Sequence, residues 1–245
     1  MGMTRRHKIT IAVLAIYWIA LVILAHMPIP QVVYQAKVSD KWLHFLAYLN
    51  LVFLVWFSIR PDDKARWRNK ATWLVFLAVV VYGGIDELTQ PYSGRSRDLM
   101  DFIANAEGAA AGLAIFTFLA FWPSLLAVWA ISIFGAATLI SADLSKVAPI
   151  SNIVYHVLVY AGFTLIWTQV MNLYLSPRAI ISRLLLTISA PACLMFFVKA
   201  SSMLIGRYFT TEEMLLSGGA IIIAATATCL FARKRHQKPF LAKGA

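Results

Sequence analysis

The residues best suited to chemistry in this chain fall in four short groups between positions 40 and 112. Asp40, Lys41, His44 and Tyr48 come first, and positions 40, 44 and 48 share one face of a helix. Glu87 and Gln90 follow, three residues apart and therefore also on one face. Gly94 and Arg95 lie in a short connection, and Asp101, Asn105, Gly108 and Gly112 then form a single stripe at three- and four-residue spacing. A histidine near carboxylates suits general acid–base catalysis, because burial and neighbouring charge tune its protonation. This predicts His44 as the acid–base group, oriented by Glu87 or Asp101. Arg95 and Lys41 suit an anionic group, since guanidinium offers a bidentate fork. The bland alternative pairs these two cations with Asp40 and Asp101. Gln90 and Asn105 would position the bound group, with Asp40 and Tyr48 beside them. His44 has no HxxxH or HExxH partner, so the cluster is read without a metal, and no cofactor is expected.

These groups must be held by membrane-spanning helices. Of the 245 residues, 60% are hydrophobic and 13% charged, against roughly 45–50% and about 25% in soluble domains. A helix needs about 20 apolar residues to cross the hydrocarbon core, and only helices satisfy their own backbone over runs of that length. Eight runs qualify: Ile9 to Met27, Trp42 to Ile59, Ala71 to Gln90, Leu99 to Trp122, Ser124 to Ile140, Asn152 to Leu175, Leu184 to Ile205 and Met214 to Ala232. The first is longer than a signal-peptide core of about 7–15 residues and is read as a retained span. Only Trp122 and Pro123 separate the fourth and fifth, which predicts a tight hairpin there. The net charge of +11 comes from basic residues placed between apolar runs, which argues against nucleic acid. With the N-terminus inside, fifteen of the 22 Lys and Arg fall in cytoplasmic segments, so both termini are expected in the cytoplasm. The polar groups then converge at the extracytoplasmic membrane edge, one to two turns deep at about 5.4 Å per turn. Gly108 and Gly112 provide a small-residue face for close helix packing. Cys193 and Cys229 lie in apolar runs and are expected as two buried, unpaired thiols.

A shift of 112 residues superposes His44 on His156, Tyr48 on Tyr160, Gly94 on Gly206 and Arg95 on Arg207. It also places Asp40 on Asn152, Asp101 on Glu213, Asn105 on Ser217 and Gly108 on Ala220. The expectation is an all-α polytopic membrane protein of about eight spans in two parallel four-helix repeats, residues 1–122 and 123–245. The second half lacks the Asp–Lys pair and has Lys199 in place of Glu87, so it is expected to be scaffold. Lys199 is expected to pair with Glu87 or Glu107, since an unpaired charge at that depth is costly.

The first-half pattern, Asp40-Lys41-x-x-His44-Phe45-x-x-Tyr48, Glu87-x-x-Gln90, Gly94-Arg95 and Asp101-x-x-x-Asn105-x-x-Gly108-x-x-x-Gly112, resembles the signature of the VanZ-like family. That family is named for a membrane protein associated with resistance to the glycopeptide teicoplanin. The resemblance implies a multi-pass protein of the cell (cytoplasmic or inner) membrane. Its partners would be membrane lipids and a lipid-linked envelope precursor or lipophilic antibiotic, bound or modified at the polar site. Some members are labelled phosphotransbutyrylase, but no acyl- or phosphate-transfer signature occurs here. A transporter or flippase built from parallel repeats, and a structural accessory protein, are the rival readings.

Overall fold

The structure is a computed structural model that describes residues 2–27, 40–139, 149–175, 179–204 and 210–237. The expectations placed on Gly206 and Arg207 lie outside the described residues. Among those residues there are eight α-helices, one short 3-10 turn and no strand. Seven helices are long and apolar enough to cross a membrane. The eighth, Phe121–Leu139, has a described apolar stretch of Phe121–Ala136, which is shorter. Large apolar side chains such as Ile16, Leu74, Leu158 and Ile223 face outward. Without water to avoid, such faces suit lipid, and the chain is a multi-pass membrane protein.

The chain forms two compact units, Met1–Leu139 and Ile140–Ala245. The first contains α1 (Arg5–His26), α2 (Asp40–Ile59), α3 (Lys70–Thr89), the 3-10 turn Gln90–Ser93, α4 (Leu99–Phe118) and α5 (Phe121–Leu139). Helix α2 is its axis, with Leu49, Val52, Trp56 and Phe57 buried against its neighbours. Helix α4 packs most closely on it. A Cβ at Gly108 would lie 2.2 Å from the Phe45 carbonyl oxygen, and one at Gly112 would lie 2.4 Å from Val52 Cγ1. The absent side chains are what allow the two backbones to meet.

Two boundaries differ from the expectation. Helix α4 stops at Phe118 and α5 begins at Phe121, so Leu119 and Ala120 make the hairpin. Trp122 and Pro123 lie in the first turn of α5, where proline's missing N–H removes no helical hydrogen bond. Helix α5 also packs on the first unit, so the compact division falls after Leu139 and not at residue 122. Asn50 Nδ2 donates to Ser132 Oγ at 2.8 Å, and Leu46 fits against Gly135. A double-mutant cycle with Asn50→Leu and Ser132→Ala should give a coupling of about 0.6 kcal/mol in detergent unfolding, the usual size for hydrogen bonds between membrane helices.

The end of the unit opposite the polar groups is basic and firmly tied. Arg6 pairs with Asp62, donates to the Pro61 carbonyl at 2.8 Å and sits 4.6 Å above the Phe121 ring. Trp56 Nε1 donates to the Asp63 carbonyl at 2.9 Å, and Lys64 Nζ donates to the Phe118 carbonyl at 2.6 Å.

The second unit contains α6 (Pro149–Tyr174), α7 (Ile180–Leu204) and α8 (Thr211–Gln237), with α6 and α8 most closely packed. Tyr160, Met171, Val198 and Ala225 form its interior. Cys229 is buried, but Cys193 is exposed, which corrects the expectation of two buried thiols. Position 193 falls on an outward face of α7, and the apolar run around it did not distinguish inward from outward faces.

Candidate functional site

The polar groups of the first unit meet at one end of the helix bundle. That end is built from the C-terminus of α1, the start of α2, the end of α3 with its 3-10 turn, and the start of α4. The chain reverses between α3 and α4 through Gly94, whose φ of 80° is left-handed and suits glycine. Asp98 caps α4 by accepting from the Met100 N–H at 2.8 Å. This turn and cap bring Glu87, Arg95 and Asp101 to the same depth as His44.

His44 Nδ1 lies 3.0 Å from Asn105 Oδ1. Its other nitrogen, Nε2, faces Asp101 Oδ2 at 3.7 Å and Asp40 Oδ1 at 3.8 Å. Glu87 Oε1 is 4.0 Å from Nδ1. These carboxylate separations exceed hydrogen-bond distance. Asn105, and not Glu87 or Asp101, therefore orients the ring. Asn105 and Gln90 are completely buried, and each holds another site residue. Gln90 Nε2 donates to Glu87 Oε1 at 3.0 Å, and the Asp98 backbone N–H donates to Glu87 Oε2 at 3.3 Å. Glu87 thus joins α3 to the entry of α4. Tyr48 is buried directly below this layer, and its hydroxyl has no hydrogen-bond partner among the described residues.

The two cations are engaged within the layer, as the bland alternative anticipated for their partners. Lys41 Nζ pairs with Asp98 and lies 2.9 Å from Asp101 Oδ1. Arg95 donates to the Ala25 carbonyl at 3.0 Å and to Asp40 Oδ2 at 3.4 Å. Hydrogen bonding from Lys41 holds the Asp98 carboxyl below its usual range. The rim is open at Lys41, Asp98 and Asp40, whose side chains are 43%, 40% and 37% exposed, while Asp101 below them is 4% exposed.

Eight of the nine residues singled out for catalysis or binding in the sequence occur in this layer, and the ninth, Tyr48, lies directly beneath it. Three members were missed. Asp86 is buried and lies 3.9 Å from His26 Nδ1. His26 Nε2 also lies 3.0 Å from Thr89 Oγ1, which fastens α1 to α3. Asp98 is the third. A clue to Asp98 was its place immediately before a helical apolar run, where aspartate commonly caps. Glu107 is outside the layer, on an exposed face of α4.

The second unit has a smaller cluster. His156 Nδ1 lies 3.0 Å from Ser217 Oγ, Asn152 Nδ2 donates to Glu213 Oε1 at 3.0 Å, and His156 Nε2 is 3.7 Å from Glu213 Oε1. Glu213 also forms a capping box with Thr210, through bonds of 2.7 and 3.2 Å. Lys199 Nζ lies against Met214 Sδ of the same unit.

No protein-family profile, curated protein or solved structure compared with the chain matches it. The functional reading therefore rests on the residues and their geometry.

Proposed function

We propose that this is a VanZ-like cell-envelope membrane protein whose first unit holds the polar head of an amphiphile at the extracytoplasmic edge of the membrane. The substrate class would be a lipid, a lipid-linked envelope precursor or a lipophilic glycopeptide antibiotic, which the site binds or modifies. The observation that carries this reading is the convergence of Asp40, Lys41, His44, Glu87, Arg95 and Asp101 at one end of four apolar helices, with an open rim over a buried floor. Ionisable groups within spans are costly and usually functional. The basic residues clustered at the opposite end support a cytoplasmic assignment for that end. A layer at the helix ends favours a surface site, whereas transporters place theirs near the midplane.

The reading extends to the whole chain. The two units would be copies of one ancestral unit running in parallel, with both termini cytoplasmic. The pairs His44–Asn105 and His156–Ser217 each join two helices at 3.0 Å over the same 61-residue separation, which supports this. The second copy would serve as scaffold, its glutamate committed to the capping box.

The test is to express His44→Ala, Glu87→Gln and Arg95→Ala and measure folded yield, envelope lipid profile and teicoplanin susceptibility. Near-normal yield with lost phenotype is expected. Loss of folded protein in all three would instead make the layer a structural lock and end this reading.

A further inference from the structure

We infer that Asp40, His44 and Asp101 form a binding site for one divalent transition-metal ion, of the Zn²⁺ or Mn²⁺ type. One ligand atom from each of the three lies within 4.8 Å of the others. The three residues face one another through atoms that have no hydrogen-bond partner among the described residues: His44 Nε2, Asp40 Oδ1 and Asp101 Oδ2. The two carboxylate oxygens are 3.8 and 3.7 Å from the ring nitrogen. That is too far for hydrogen bonding. It is near the spacing of two donors on a shared cation, about 3.4 Å for ligands about 2.1 Å from a tetrahedral ion.

Each donor is steadied from behind. Asn105 takes His44 Nδ1, Arg95 takes the far oxygen of Asp40, and Lys41 takes the far oxygen of Asp101. With Nδ1–H donating to Asn105 Oδ1, the neutral ring would direct its Nε2 lone pair at two carboxylate oxygens. His44 is 8% exposed and Asp101 is 3% exposed, so solvent does little to relieve this. Two buried donors and a third at the open rim, all facing one point, suit a cation. This is also the usual construction of a metal centre, where partners outside the ligands fix the histidine tautomer and the carboxylate orientation.

Charge points the same way. Asp40, Asp86, Glu87, Asp98 and Asp101 surround the site, against Lys41 and Arg95 as the permanent cations paired to it. Five carboxyls thus share two permanent cations, and Asp86 and Glu87 have neither as a partner. The donor set, two carboxylates and one imidazole, suits Zn²⁺ or Mn²⁺ better than Mg²⁺ or Ca²⁺, which prefer oxygen alone. Three protein ligands leave coordination positions open towards the rim. This deepens the proposed function and rests on it only in that last respect: an open position would let an acid-rich site accept a phosphate or carboxylate headgroup.

The experiment uses the full chain in detergent, stripped with chelator, and needs no amphiphile. Mn²⁺ binding is followed by electron paramagnetic resonance, with Zn²⁺ as competitor. About one Mn²⁺ per chain is expected, displaced by Zn²⁺. Asp101→Asn and His44→Ala should weaken binding at least as much as Asn105→Ala, which should cost about 10–100-fold by releasing the ring. Cys193→Ser should bind as the parent does, which separates the site from an exposed thiol. Absence of stoichiometric binding to the parent protein would overturn the assignment, even if every variant failed to fold. Equal binding by the parent and all three site variants would also overturn it. Neither result would decide whether an amphiphile binds.

Discussion

Gly108→Ala is expected to remove most of the folded protein recovered in detergent. The new methyl group would lie 2.2 Å from the Phe45 carbonyl oxygen and 3.1 Å from the Leu49 nitrogen. Both are backbone atoms of α2, so no rotamer change can relieve the contact. Overpacking of this kind costs about 1–3 kcal/mol, and more where backbone must move. The helices forced apart are those that carry Lys41 and His44 on one side and Asp101 and Asn105 on the other, so the site should be lost with the packing. Gly218→Ala provides the comparison. Nothing lies within 4 Å of a Cβ at that position of α8, so the change should be neutral or gain up to about 1 kcal/mol from helix propensity. Folded yield and thermal unfolding of the two variants, measured side by side, check both expectations. Equal behaviour would mean that α2 and α4 do not approach as described.

Asp101→Asn should leave the fold almost intact and weaken the proposed binding of an amphiphile. Asparagine keeps the volume of the side chain, and Lys41 retains Asp98 as a partner. The stability change should therefore be about 1 kcal/mol. The charge that faces both Lys41 Nζ, at 2.9 Å, and His44 Nε2, at 3.7 Å, is removed. Retention of the amphiphile should fall at least about tenfold, equivalent to about 1.4 kcal/mol. Glu107→Gln, one residue before the packing glycine but on an exposed face of α4, should change neither property.

The residues at 40, 44, 48, 87, 90, 95, 101 and 105 could be placed together from the sequence because helical spacing and span ends determine depth and face. That logic does not reach rotamers. Whether His44 Nδ1 meets Asn105 or a carboxylate depends on differences of about 1 Å, and helical spacing is equally compatible with both. Asp86 escaped notice because it lies one residue, about 100° of helix rotation, from Glu87, and only the neighbouring α1 with His26 makes that face interior. The place of α5 was hidden for a similar reason. Its run of apolar residues carries no sign of Ser132 bonding to Asn50 or of Gly135 receiving Leu46. Gly108 and Gly112, by contrast, announced themselves, since small residues four apart in an apolar run have few other uses.

The decisive measurement is native mass spectrometry of the parent protein and Asp101→Asn after each has been equilibrated with the same envelope lipid extract. An amphiphile with a polar head is expected to be retained by the parent and lost from Asp101→Asn at equal folded yield. Identical retention by both, or none by the parent, would contradict a headgroup site in the first unit.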